Sequence, residues 1–439
     1  MKTLHIFLCL WALLICHAKA SYTEFFGPGF NTTAIGNQSN FQENDPSNNY
    51  YFPAILAKAK KIYLSLNIST VNTSFENINN IVIKNATNNA NSPIEQTGNV
   101  STDYGSYNNA LISAVLPIGY KNFGTISLTV STPVGDFIET NTGSPFLPEY
   151  VFYQSRYKRS LVHLNLNRKW SENVFYSIGT HLGFQASASA TTQASLNGTG
   201  IGSSASAKAK VSPSLGIILS TVYQQDNFSF GFSYQQEMKS NLEAKATGET
   251  SDPPLPFDIT IESMPYYDPH IFRAQMAIDT NEAALYGSIE YQIWDSYKTP
   301  VARIRKNSGT IVASDNYESV KTKNILIPKA GISININDQL KFNFGAAYRP
   351  TPLDGDFTGA GNSIDSNSYI YSSGLSYYSE FFGHKVNLGL SGQLHDLQEK
   401  RVQKSSGLEN GGNGNKIGSG GYTIDGNVII VSLGANIEF

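Results

Sequence analysis

From Val431 to Phe439 the chain alternates strictly: Val431, Leu433, Ala435, Ile437 and Phe439 fall on one face, Ser432, Gly434, Asn436 and Glu438 on the other. Successive side chains of a strand point to opposite sides, so this segment is a strand with one apolar and one polar face. The same period of two recurs along the sequence. Ile62, Leu64, Leu66 and Ile68 form one such face, Phe228, Phe230, Phe232 and Tyr234 another, and Val386, Leu388, Leu390 and Leu394 a third. Further segments lie at 109–115, 126–130, 162–166, 174–184, 215–219, 272–278, 285–293, 330–336, 340–348 and 369–377, which with the terminal strand makes fourteen. Many approach the roughly 9–11 residues that a tilted strand needs to cross a hydrocarbon layer.

The connections follow a rhythm. Short links at 117–123, 168–173, 224–227, 279–283, 337–339 and 380–384 alternate with long polar stretches near 72–106, 136–158, 187–210, 241–269, 296–323, 350–367 and 397–425. Outer-membrane barrels join their strands in this way, with short periplasmic turns and long outer loops. The Ala/Ser-rich stretch 186–209 reads as a flexible outer loop. A soluble sandwich also alternates, but it rarely keeps strict up-and-down order over so many strands.

The amino terminus carries Lys2, the apolar run 6–16 and the small residues Ala18 and Ala20, a signal-peptide pattern that predicts cleavage before Ser21. The run is too short for a membrane-spanning helix. Both cysteines, Cys9 and Cys16, fall in that segment, so the mature chain is expected to have no disulfide and no cysteine metal site. The segment holds two lysines and no acid, so its loss takes the formal net charge from −3 to −5, and no nucleic-acid partner is indicated. Beyond residue 20 no apolar run approaches helix-spanning length. A chain of this kind crosses a membrane with strands or not at all.

The expected fold class is all-β: a 14-stranded antiparallel transmembrane β-barrel in the bacterial outer membrane, residues 62–439, preceded by a signal peptide, 1–20, and by a plug, 21–61. The segment 21–61 is too polar and too rich in Gly and Asn for strands, and it must be accommodated somewhere. Within it, Gly27-Pro28-Gly29, Ala34-Ile35-Gly36 and the run from Asp45 to Ala54 resemble the hatch that opens members of the FadL/TodX family, outer-membrane transporters of long-chain fatty acids and other hydrophobic compounds. That family's hatch carries Asn-Pro-Ala; here the motif is Phe52-Pro53-Ala54, with Phe in place of Asn. The resemblance continues through Phe123-Gly124-Thr125-Ile126, Leu182-Gly183-Phe184, Tyr348-Arg349-Pro350 and Gly374-Leu375-Ser376-Tyr377.

The resemblance implies a barrel filled by the hatch, a hydrophobic pocket within, and an inward kink of the third strand that opens a gap in the wall for sideways release. Pro133-Val134-Gly135 is the expected kink, because proline removes a ladder donor and glycine permits a bend; the alternative is that Pro133 merely ends the strand. An aliphatic cargo loses about 0.8 kcal/mol for each methylene left in water, so it needs apolar walls and, if it is a fatty acid, a cation for its head group. The inward phases of the strands offer Lys329, Arg273, His163 and His181, with Arg349 at a strand end.

The expected partners are a hydrophobic small molecule, outer-membrane lipid and lipopolysaccharide, with the chain acting as a monomer. No metalloprotease helix or Gly-x-Ser-x-Gly elbow appears, and the expectation is no enzyme activity, no metal and no cofactor. A general porin, a surface adhesin and a lipid hydrolase stand as the alternatives.

Overall fold

The computed structural model describes residues 22–85, 94–119, 123–135, 148–153, 159–197, 200–251, 254–280, 282–300, 303–309, 320–355, 363–403, 417–419 and 421–439. The predicted signal peptide lies outside the described residues. Fourteen strands form the wall: β1 Tyr63–Phe75, β2 Ser106–Ile118, β3 Gly124–Pro133, β4 Leu161–Lys169, β5 Val174–Asn197, β6 Gly200–Gln225, β7 Phe228–Gln235, β8 His270–Asp279, β9 Ala283–Ile293, β10 Ile325–Asn335, β11 Leu340–Arg349, β12 Ser368–Phe381, β13 His384–Val402 and β14 Tyr422–Glu438. Each pairs antiparallel with its neighbours in sequence, and β1 closes the ring by pairing with both β2 and β14. At the seam Tyr63 faces Glu438, and the Phe439 N–H donates to the Ile62 carbonyl at 2.9 Å. A closed ring leaves no unpaired edge, which is the condition for strands to cross lipid.

The two faces of the wall are inverted relative to a soluble protein. On β1, Leu66 and Ile68 are exposed while Ser65, Asn67 and Ser69 are buried; on β7, Phe228, Phe230 and Phe232 are exposed while Ser229 and Ser233 are buried. The same holds on β6, where Leu215, Ile217 and Leu219 point outward, and on β13, where Leu388 and Leu390 do. A closed barrel with an apolar exterior and a polar interior is built to stand in hydrocarbon. No described helix is long and apolar enough to cross a membrane.

Among the described residues, five of the seven expected long loops carry strand. The stretch 186–209 is not a flexible loop: β5 and β6 run through it as one continuous ladder from Val174↔Tyr223 to Asn197↔Gly200. Ladder bonds are made by the backbone, and small Ala, Ser and Thr side chains neither break the strand nor need a core, so the hairpin continues past the barrel rim. Beyond β7 the strands Met238–Ser251 and Pro254–Asp268 form a second hairpin, which pairs in parallel with β5 at Ala244↔Ala188 and antiparallel with the strand Arg303–Gly309. A separate small sheet joins Ile78–Asn85, Ile94–Val100 and Ile417–Ser419.

Candidate functional site in the barrel lumen

The segment preceding β1 carries three short helices, α1 Tyr22–Phe26, α2 Phe30–Ala34 and α3 Asn48–Tyr51, then a 3-10 turn, Pro53–Lys58. Helices this short have no stability of their own in water. They are held by the wall around them, and almost every residue of the segment from Tyr22 to Leu56 is buried. Polar side chains on the inward phase supply the contacts. Asn67 of β1 accepts the Phe30 N–H at 3.1 Å, Gln275 of β8 clasps Ser39 through both its N–H and its carbonyl, at 2.9 and 2.5 Å, and Ser376 of β12 donates to Asn31 at 2.8 Å. Asn49 spans two strands: its Oδ1 accepts from Ser127 of β3 at 2.5 Å and from Asn165 of β4 at 2.8 Å, while its Nδ2 donates to Thr129 at 3.0 Å.

Phe52, Pro53 and Ala54 sit in the middle of this segment. Phe52 is fully buried and meets Phe41 edge to face at 5.2 Å. Both rings lie over Gly231 of β7, where any β-carbon would come within 2.8 Å of them, so the wall is glycine where the aromatic pair needs room. Pro53 opens the 3-10 turn, a position that asks for no backbone N–H. Polar bonding next to the motif falls to Asn48 and Asn49; Asn48 ties the loop together through the backbone of Asn40 and Glu43.

The five predicted cationic residues all face inward, and most of them already hold partners. Arg273 of β8 and Lys329 of β10 converge on one acid, Glu290 of β9, with Nε–Oε2 at 2.9 Å and Nζ–Oε2 at 3.0 Å. Tyr50 and Tyr51 cover the pair: the guanidinium lies 4.9 Å from the Tyr50 ring and 5.4 Å from the Tyr51 ring, and the Lys329 ammonium 5.5 Å from the latter. Lys329 also donates to the Asn37 carbonyl at 3.2 Å. Glu290 continues the network through Gln292 to Glu24 and to the Trp294 indole. Arg349 pairs with Asp365 at 3.3 Å and lies over the Phe25 ring at 4.2 Å. His181 bonds the Gln236 carbonyl at 2.8 Å. His163 is fully buried against Tyr50, 4.9 Å between centroids, and neither ring nitrogen has a hydrogen-bond partner among the described residues.

Glu290 was missed by the sequence reading, although its signal was present: it stands directly opposite Arg273 across a short turn, on the same inward phase. Asn49 carried no such signal, since its partners come from two distant strands. Outside the wall strands, burial raises Asp45 above the ordinary carboxylate range against hydrogen bonds from Ser47 and Asn31. Glu43 moves the other way: burial disfavours its charge, but Lys341 at 2.5 Å and the Tyr378 hydroxyl at 2.6 Å outweigh that and hold it low.

Above the charged cluster, toward the long loops, the interior is aromatic. Phe25 meets Tyr153 at 6.0 Å, Phe75 stacks on Tyr150 at 4.1 Å, and Trp294 packs against Phe152 at 5.3 Å and Tyr267 at 5.6 Å. Between this aromatic layer and the charges, a space of about 20 Å³ lies among Glu24, Asn37, Glu290, Lys329 and Arg349, room for about one water.

At the third strand, β2 pairs through Asn109↔Pro133 with no shift of register, and the Val134 N–H reaches the Asn108 carbonyl at 2.8 Å. Alternation then points the backbone of Pro133 toward β4, where pairing ends one rung earlier at Ser131↔Leu161. The missing N–H therefore falls on the β4 side, where the next rung would form. Past that point Thr132 and Ser160 meet through their hydroxyls at 2.7 Å, Val134 is exposed, and Gly135 has a positive φ of 108°.

No protein-family model and no curated protein matches the sequence. Among solved structures, a FadL homologue of Pseudomonas aeruginosa aligns with 96% of this chain and 98% of its own at 14% identity and a TM-score of 0.61. The toluene transporter TodX of Pseudomonas putida aligns with 94% of this chain and 99% of its own, also at 14% identity, with a TM-score of 0.54. The chain has the fold of these proteins over nearly its whole length.

Proposed function

We propose that the chain is an outer-membrane channel that carries hydrophobic small molecules, long-chain fatty acids or aromatic hydrocarbons, inward across the bilayer. Residues 21–61 act as its plug, and it works as a monomer in contact with outer-membrane lipid and lipopolysaccharide. The observation that carries this reading is an inverted barrel whose bore is filled by its own amino-terminal segment beneath a layer of aromatic side chains. A water-filled pore serves polar solutes; an apolar cargo gains from aromatic walls, at about 0.8 kcal/mol per buried methylene. The fold it shares with a FadL homologue and a toluene transporter points to the same class of cargo.

Cargo enters among Phe25, Tyr150, Tyr153 and Trp294. The charges below them are paired, so a carboxylate head reaches Arg273 or Lys329 only by competing with Glu290, and neutral hydrocarbons fit at least as well as fatty acids. Release is sideways where Pro133 leaves a rung unmade between β3 and β4, with Val134 and Gly135 shaping the gap. No catalytic step belongs to this cycle; His163 and His181 face the lumen and supply no outward Ser–His pair.

The test is uptake of radiolabelled palmitate and toluene by cells carrying the wild type or a Pro133→Thr/Gly135→Thr double variant. Uptake lost in a variant that still folds and resists heat supports sideways release. Unchanged uptake contradicts it.

A further inference from the structure

The charged cluster in the lumen includes one acid that the wall does not supply. Arg273 and Lys329 share the single carboxylate of Glu290, so these three wall residues together hold one positive charge in excess. Arg349 is matched by Asp365. Glu24 restores the balance, and it belongs to the plug: it stands on α1, is 8% exposed, and accepts from Gln292 Nε2 at 3.2 Å. The same nitrogen reaches Glu290 at 2.6 Å, so one amide bridges the carboxylate of the plug and that of the wall. Glu24, Glu290, Lys329 and Arg349 all border the space of about 20 Å³ beneath the aromatic layer.

Around that carboxylate α1 is apolar. Phe25 lies over the Arg349 guanidinium at 4.2 Å and against Tyr153 at 6.0 Å, while Phe26 packs with Tyr22 at 5.1 Å, Tyr107 at 6.3 Å and His395 at 5.5 Å. A carboxylate flanked by hydrocarbon and set beside buried cations has the chemistry of a fatty acid. The chain therefore carries its own anionic head at the level where an acidic cargo would have to place one. Buried charge is costly unless it is paired, and a further carboxylate here would stand beside Glu24 and Glu290 with all three cations already matched. A neutral head group, or none, meets no such penalty, and an unpaired charge built against one class of ligand is a source of specificity.

We infer that Glu24 sets the charge preference of the channel: it disfavours cargo with a carboxylate head and admits neutral hydrophobic molecules, hydrocarbons or alcohols. This deepens the proposed function and rests on it, but it is independent of the route of release. Glu24→Gln keeps the shape of the side chain and an oxygen for Gln292. It returns the excess positive charge to Arg273 and Lys329, and so turns the lumen toward carboxylates.

Equilibrium dialysis of the detergent-purified full chain against radiolabelled laurate and 1-dodecanol tests this at mildly alkaline pH. The two compounds have the same chain length and differ in head-group charge. Wild type is expected to bind the alcohol saturably and more tightly than the acid. In Glu24→Gln the laurate-to-dodecanol affinity ratio rises by about tenfold or more; in Glu24→Asp, which keeps the charge, it stays as in wild type. Lys329→Gln removes a cation instead and lowers the ratio, so a folding failure of Glu24→Gln leaves a test of opposite sign. A wild type that prefers laurate, or a ratio unmoved by these two charge changes while dodecanol still binds, overturns this inference alone. Binding of neither compound to any of the chains overturns the proposed function together with it.

Discussion

Glu290 accepts from two buried cations at once, and the consequence of removing its charge follows directly. Glu290→Gln leaves Arg273 and Lys329 buried beside each other without a counter-ion, a loss on the order of 3–5 kcal/mol for a buried pair broken from one side. The expected outcome is a clear fall in the temperature at which the purified barrel loses its compact, heat-modifiable form, and Arg273→Met in the same background should restore part of it; unchanged stability would show the cluster to be hydrated. Lys58 gives a pH dependence. Burial pushes its amine down to about 8, with Glu43 opposing, while the Nζ donates to the Phe41 carbonyl at 2.6 Å. Between about 8 and its ordinary value of 10.5 the unfolded chain holds the proton that the folded chain has released, so stability from this group rises with pH over that window. Lys58→Met removes the dependence: its stability advantage over wild type should shrink from pH 8 to pH 10, and a constant difference would contradict the assignment. At this scale the sequence was only half legible. Inward phase correctly turned Arg273, Lys329, His163 and His181 toward the lumen, but phase cannot say that Glu290 and Asp365 already hold their cations, because Asp365 comes from a loop and is matched to Arg349 only in three dimensions.

Element by element, the strands were legible because their signal is local. A period of two survives wherever one face meets lipid, and the six short links fell between strands because a two- to six-residue turn has its own composition. The hairpin that extends β5 and β6 was not legible as strand, since its alternation sets only Ala against Ser, Thr and Lys and lacks the large apolar residues of the lipid-facing strands; the ladder defines it. The segment 21–61 was recognisable as one without strands, but not in its attachments. Asn49 ties it to β3 and β4 together. Replacing it with Leu removes four hydrogen bonds and takes a partner each from Ser127, Thr129, Asn165 and the His163 carbonyl, each loss costing about 1–3 kcal/mol. Planar-bilayer recordings of Asn49→Leu should therefore show openings that the wild type lacks, with the barrel itself still resistant to heat. Silent bilayers from a folded variant would place the plug's anchorage elsewhere.

As a whole molecule the chain turns a soluble protein inside out: oily residues outside, hydrogen-bonding residues inside, and its own first segment filling the space that would otherwise be water. Closure at β1 and β14 removes the last edge of the barrel wall, and Phe439 completes the seam through the Ile62 carbonyl. What distinguishes this arrangement from a general pore is the occupied bore. The most direct measurement places the purified protein in liposomes and records swelling in sugar solutions alongside uptake of a labelled hydrophobic compound such as toluene or palmitate. The account predicts saturable uptake of the lipophile with swelling no faster than in protein-free liposomes; rapid sugar entry without lipophile uptake would contradict it.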